Sequence, residues 1–236
     1  MGRAFEFRKE RKMKRWGAMA KTFTRIGKDL AIAVKEGGPS PETNARLRQV
    51  IQNAKNANMP KDRVENAIKK ASSKDSENYE EVVYEGHGAH GVAIVVDTAT
   101  DNPTRTVANV RSYFNKCNGA LGTSGSVEYA FQKKALFKFN KAGFDKEELE
   151  FELIDGGLSE LVEEEDQFWA YAAFNDYGNL AKALEEKNIE VLESTYEKIP
   201  DFYMENLSDE EAEDVIKLID KLEEDDDVTF VFHNMK

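Results

Sequence analysis

Between residues 20 and 74 the apolar residues keep a three- and four-residue spacing. After SSKDSEN, at 72–78, they come instead in short β-branched runs bounded by glycines. That change of period predicts a helical segment followed by an α+β body. In KTFTRIGKDLAIAVKEGG, Phe23, Ile26, Leu30, Ala33 and Val34 stack on one face, Lys21, Arg25 and Lys28 fall on another, and Gly37-Gly38 ends the run where a left-handed residue is needed. Ser40 as N-cap with Pro41 in the first helical position predicts a second helix, burying Leu47, Val50, Ile51 and Ala54 and stopping near Asn58. Pro60 opens a third, KDRVENAIKKA, with Val64, Ala67, Ile68 and Ala71 as its stripe.

Beyond the polar linker, YEEVVYEG and GVAIVVDTA predict strands, PTRTVANVRSYFNKCNG a helix, and SVEYAFQ and ALFKFN two further strands. At the far end, a helix capped by Ser208 leads into the strand DVTFVFHN. The order of these pieces is a split βαβ, ferredoxin-like pattern with one extra strand in front. Residues 145–199 repeat the theme as helix, two strands, helix and strand. The expected fold class is therefore α+β: an N-terminal three-helix lobe plus two small α+β domains, one inserted in the other. The expected divisions are residues 1–77, residues 78–142 with 199–236, and the inserted residues 143–198.

Charge divides along the same line. Residues 1–74 hold 19 Lys and Arg against 7 Asp and Glu, a net +12, while the remaining 162 residues hold 14 against 38, a net −24. A chain of formal charge −12 thus begins as a basic module, and such asymmetry points to a polyanion partner for one end only. RKERKMKR at 8–15 is Lys or Arg everywhere except Glu10 and Met13, and Phe5, Phe7 and Trp16 lie around it. Cations neutralise phosphates and release counterions, and flat rings stack on bases. The candidate nucleic-acid contacts are Arg8, Lys9, Arg11, Lys12, Lys14, Arg15, Trp16, Lys21, Arg25, Lys28, Arg46, Arg48, Lys55 and Lys61, with Arg63, Lys69 and Lys70 extending the basic surface. Nothing in the pattern separates DNA from ribosomal RNA.

Other chemistries find little support. Gly86, Gly88 and Gly91 spell GxGxxG, but they precede a strand rather than open a helix, so the stretch reads as a turn. His87 and His90 share that turn without a third ligand nearby, and a single cysteine, Cys117, cannot form an internal disulfide. The acidic runs at 163–166 and 223–227 lack the glycine and spacing of a calcium loop and read as solvated faces. No catalytic constellation, cofactor, metal or small-molecule substrate is expected. The longest apolar run, Val92 to Val96, is far short of a membrane span, and no stretch suits a signal peptide. A cytoplasmic, non-enzymatic protein is the expectation.

Several longer motifs carry a resemblance. NARLR (44–48), ANMPKD (57–62), YEG (84–86), TDNPTRT (100–106) and LGTSGSV (121–127) together make nearly the whole chain similar to the YebC/PmpR family of bacterial regulators, which is related to mitochondrial translational activators of cytochrome oxidase. The resemblance implies a helical domain and two α+β domains, no enzymatic activity, and a cytoplasmic role in gene expression. That role is either DNA-binding transcriptional regulation or ribosome-associated translation. Family members commonly open with a segment like GHSKWANIKHRK where this chain has GRAFEFRKERKMKRW, so at the N-terminus only basic character carries over.

Overall fold

The computed structural model describes residues 3–73 and 78–236, with side chains from Met19 onward. Its contacts group into two compact units. One comprises Met1–Val82, Thr98–Pro103 and Glu224–Thr229; the other comprises Val83–Asp97, Thr104–Glu223 and Phe230–Lys236.

The first unit is built on three helices: α1 (Arg3–Gly37), α2 (Ala45–Asn56) and α3 (Lys61–Ala71). Helix α1 begins far ahead of residue 20, where the apolar periodicity begins. Its first turns hold no proline and are rich in Arg, Lys, Glu, Met and Ala, all good helix formers, so the basic segment ahead of residue 20 continues the helix. It ends where expected: Gly38 takes φ +85° and its N–H bonds the Val34 carbonyl at 2.8 Å. Ile26, Leu30, Ala33 and Val34 of α1 meet Leu47 and Ala54 of α2 and Val64 and Ala71 of α3 in one core.

The cap of α2 differs from the sequence reading. Residues 41–43 form a turn, and Asn44 rather than Ser40 is the N-cap, accepting from Leu47 N–H at 3.0 Å. The buried amide of Asn44 also donates to the carbonyls of Ala33 (2.7 Å) and Gly38 (2.8 Å) at the end of α1. One side chain thereby satisfies groups at two helix ends, a role no hydroxyl at position 40 could fill.

The rest of the chain forms two four-stranded sheets. β1 (Glu80–His87), β2 (Ala93–Thr100), the two-residue β3 (Ala120–Leu121) and β8 (Val228–His233) are ordered β3-β1-β2-β8. Helix α4 (Pro103–Lys116) follows β2, and α7 (Asp209–Glu223) precedes β8. Helix α7 opens with a reciprocal capping box, Ser208 N–H to the Glu211 carboxylate at 2.9 Å and Glu211 N–H to the Ser208 hydroxyl at 3.3 Å. β4 (Phe131–Asn140), β5 (Leu158–Glu164), β6 (Gln167–Ala173) and β7 (Val191–Pro200) are ordered β5-β6-β4-β7, antiparallel throughout. Helices α5 (Lys146–Leu153) and α6 (Tyr177–Glu186) complete that layer, with Phe137, Phe139, Leu149, Leu153, Phe168, Leu180 and Leu184 in its core.

Here the strands read as SVEYAFQ and ALFKFN are corrected. Residues 131–140 form one strand, and it pairs with β6 and β7, not with the sheet of β1 and β2. Within it, Ala135, Phe137 and Phe139 share one buried face. The segment before it cannot be strand because its amides are taken: the Glu85 carboxylate accepts from Gly125 (2.6 Å), Val127 (2.8 Å) and Glu128 (2.7 Å).

Replacing Asn44 with Ala should cost about 2–3 kcal/mol, a cap plus buried carbonyls left bare, and Asn44→Ser, which can keep only the cap, should cost less. Urea unfolding of the full chain measures both. Equal stability of Asn44→Ala and the parent would remove Asn44 from this role.

Candidate nucleic-acid interface

The cations predicted from sequence separate into three groups in the first unit. Arg8, Lys9, Arg11, Lys12, Lys14, Arg15 and Trp16 lie in α1 ahead of Met19, and their side chains fall outside the described residues. Lys21 on α1, Arg48 and Lys55 on α2 and Lys61 on α3 are exposed, as are Arg63, Lys69 and Lys70 on α3. Several of these also hold local contacts. Lys61 stands 3.5 Å from Glu65 one turn on, Arg63 lies 5.8 Å from the Phe23 ring, and Arg48 donates to the Pro41 carbonyl at 2.7 Å. Such exposed contacts are weak and salt-screened, so these charges remain usable by a ligand.

Lys28, Arg25 and Arg46 form the third group, and Lys28 is a correction. Its side chain is 8% exposed, and its ammonium donates to the carbonyls of Ala99 and Asp226, both at 2.7 Å, and to the carboxylate of Asp227 at 2.9 Å. Thr100 donates to the other Asp227 oxygen at 3.2 Å. With three acceptors and no solvent, Lys28 is an internal brace unavailable to phosphate. Asp227, read as part of a solvated acidic run, is its buried counter-ion. Half-exposed Arg46 bridges Glu36 at 2.8 Å and Glu81 at 2.7 Å, so its charge is largely neutralised. Arg25 faces Asp29: burial pushes the Asp29 carboxyl up to about 6, with Arg25 and then Arg46 pulling it down, Glu81 pushing it up and Lys28 pulling it down.

The α2–α3 connection, Ala57 to Pro60, has the length of a helix-turn-helix, with Asn58 left-handed at φ 58°. The packing is different: α2 and α3 each lie against α1 and scarcely against each other. Among the described residues no His, Cys, Asp and Glu cluster is placed to hold a metal, and no helix is long and apolar enough to cross a membrane.

Motifs that carry the resemblance hold internal contacts. Asn44 of NARLR caps α2. Glu85 of YEG, 2% exposed, holds the LGTSGSV loop by its amides, and these outweigh burial to keep its carboxyl below the usual range. Gly86 beside it has no room for a side chain, since a Cβ there would stand 2.5 Å from the Ala120 carbonyl oxygen of β3. Thr100 of TDNPTRT accepts from Asn102 N–H at 2.9 Å while donating to Asp227, which sets the entry to α4.

Fold and surface thus define a class: a three-helix unit with outward cations, followed by two antiparallel-type sheets with helices. A solved structure of that class, a conserved hypothetical protein from Aquifex aeolicus, matches this chain with a TM-score of 0.82 at 35% identity, covering 92% of this chain and 90% of its own. The family model for the TACO1/YebC protein N-terminal domain matches residues 3–74, and that for the TACO1/YebC second and third domain matches residues 79–235. The chain belongs to the TACO1/YebC family. It is similar to proteins named probable transcriptional regulatory protein from Flavobacterium johnsoniae (61% identical, spanning 100% of this chain and 99% of the relative), Flavobacterium psychrophilum (58%, 100% of both) and Porphyromonas gingivalis (55%, 100% and 98%).

Two stability outcomes follow from the buried charges. Lys28→Met should cost about 3 kcal/mol in urea unfolding because Asp227 is left buried and unpaired, whereas Lys55→Met should cost less than about 0.5. A comparable small loss for both would make Lys28 a surface residue in effect. For Asp29, a folded-state pKa above the ordinary 3.8 means the native state binds the proton more tightly, so the ionised carboxylate destabilises the fold fully above pH about 6. The penalty fades as pH falls towards 3.8. Asp29→Asn should therefore add about 2 kcal/mol at pH 7.5 and nothing near pH 4. No gain at pH 7.5 would contradict this.

Proposed function

We propose that this protein is a non-enzymatic, nucleic-acid-binding regulator of gene expression acting in the cytoplasm, with the basic helical domain, residues 1–77, as the binding element. The carrying observation is the net +12 of residues 1–74 in an otherwise acidic chain, together with the exposed Lys21, Arg48, Lys55, Lys61, Arg63, Lys69 and Lys70. Arg8, Lys9, Arg11, Lys12, Lys14, Arg15 and Trp16 add the densest charge. The names of the relatives support transcriptional regulation, and so DNA, as the first reading. Phosphate contacts would supply affinity and position, and base discrimination would need further contacts.

A second reading, a ribosome-associated translation factor binding rRNA, is favoured by one feature. Helices α2 and α3 lack the mutual packing of a helix-turn-helix, and rRNA offers phosphate, shape and unstacked bases to a basic aromatic helix without asking for a major-groove reader. The acidic remainder of the chain suits basic ribosomal proteins.

If about six phosphates are engaged on duplex DNA, log K against log salt should fall with a slope near −5. Reversing Arg11, Lys12, Lys14 and Arg15 to Glu should weaken binding to every sequence alike. Affinity that ignores salt would exclude the proposal. Sedimenting a lysate at moderate salt, with and without nuclease, separates the two readings. Travel with ribosomes and no preference among DNA sequences favours translation, and tight binding to one promoter with absence from ribosomes favours transcription.

A further inference from the structure

Helix α5 buries Leu149 and Leu153. At 3.6 residues per turn both lie about 160° around the helix from Phe151, so the Phe151 ring leaves on the side opposite the core. Phe151 is 79% exposed, and Ile154, still helical in conformation at the C-cap, is 58% exposed. Three positions apart, they are neighbours on that outer face. Helix formation does not call for either residue there, because Phe and Ile are poorer helix formers than the Glu, Lys and Leu around them.

The charges on α5 are sorted about this pair. Glu150 and Glu152, about 100° to either side of Phe151, have lysines of their own. Lys146 lies 3.7 Å from Glu150, and Lys187 lies 2.6 Å from Glu152. Glu147, Glu148 and Asp155 fall within about 60° of Phe151 and so surround the apolar pair. All three are exposed, and among the described residues no cation or hydrogen bond holds their carboxylates. Glu147 and Glu148 stand in the first turn, where the helix dipole favours an acid. Asp155 stands past the other end, where the dipole favours a cation, so helix stability does not account for it.

We propose that this face of α5 docks a Lys- and Arg-rich segment of another protein. Phe151 and Ile154 supply the apolar anchor, and Glu147, Glu148 and Asp155 supply the complementary charge around it, the arrangement of an interface core with its polar rim. From Glu147 to Asp155 the face is ~12 Å long, the reach of about four residues of extended chain. The same three carboxylates repel nucleic acid and anionic lipid. This goes beyond the proposed function, which gives a nucleic acid to the basic helices and no partner to α5.

The test places a benzophenone amino acid at position 151 of the full chain, irradiates the cells that make the protein, and sequences the joined peptides by mass spectrometry. Lys182, exposed on α6, is the comparison position. Adducts at 151 should be with Lys- and Arg-rich segments of other proteins, in clear excess over position 182. Adding Glu147→Gln, Glu148→Gln and Asp155→Asn should lower their yield about fivefold. Matching melting curves show that the variants are folded. Adducts with nucleic acid, with a second copy of this chain or with segments not rich in Lys and Arg overturn the proposal, as does a yield indifferent to the three acids or no greater than at 182. The acid variant should keep the parent's salt slope on duplex DNA, so failure at α5 leaves the nucleic-acid reading standing. A parent that does not bind DNA or RNA removes that reading alone.

Discussion

A buried lysine ties the first unit together. Lys28 sits in the basic helix, but its ammonium is committed to Asp227 and to the carbonyls of Ala99 and Asp226, residues that reach the same point from 71 and about 200 positions further along the chain. A charge removed from water is tolerated only when each of its protons finds a good acceptor, and here all three do. Thr100 then fills the second oxygen of Asp227, and the same hydroxyl receives the Asn102 amide ahead of α4. The brace thus fixes the strand end from which α4 departs. It also sets apart one cation that the sequence cannot distinguish from its exposed neighbours.

The same economy runs through the other polar residues that stand out in the sequence. Glu85 holds a loop of glycines and serines by three amides, and Asn44 closes the junction of α1 and α2. In the second unit, Lys198, 4% exposed, lies between Asp97 and Glu128, with the Tyr196 hydroxyl donating to Asp97 at 2.7 Å. Each is a buried polar group with its partners in place, as a folded interior demands. The groups that face outward on the helical unit are its exposed cations.

How much of this was legible in sequence depended on whether a feature was local. Helices α2 to α7 and most strands follow from period and punctuation, and Gly38, Pro60 and Ser208 mark ends where they are found. Three failures turn on a contact with a residue elsewhere in the chain. Asn44 outcompetes Ser40 because the carbonyls at the end of α1 are within its reach. The stretch before Phe131 is not strand because Glu85 occupies its amides. Lys28 and Asp227 look solvated until the fold brings them within 2.9 Å. The start of α1 was missed for another reason: a polar stretch without apolar periodicity gives no amphipathic signal, although its composition favours helix. Of the candidate contacts, charge sign was readable, and burial was not.

The remaining question is how a chain of net charge −12 can engage a polyanion at all. Net charge governs the field at distances long compared with the Debye length, which is only about 8 Å at physiological salt. Within that distance the local arrangement decides, because affinity comes from phosphates neutralised and counterions released at individual contacts. A module of +12 would therefore bind a polyanion according to its own exposed cations, while acids more than about 8 Å from a phosphate would be largely screened. Those acids would still weaken encounters with nucleic acid approaching elsewhere on the surface, which would confine productive binding to the cationic helices. Under the proposed function, the polarity of the sequence would restrict where a nucleic acid could sit rather than whether it could bind.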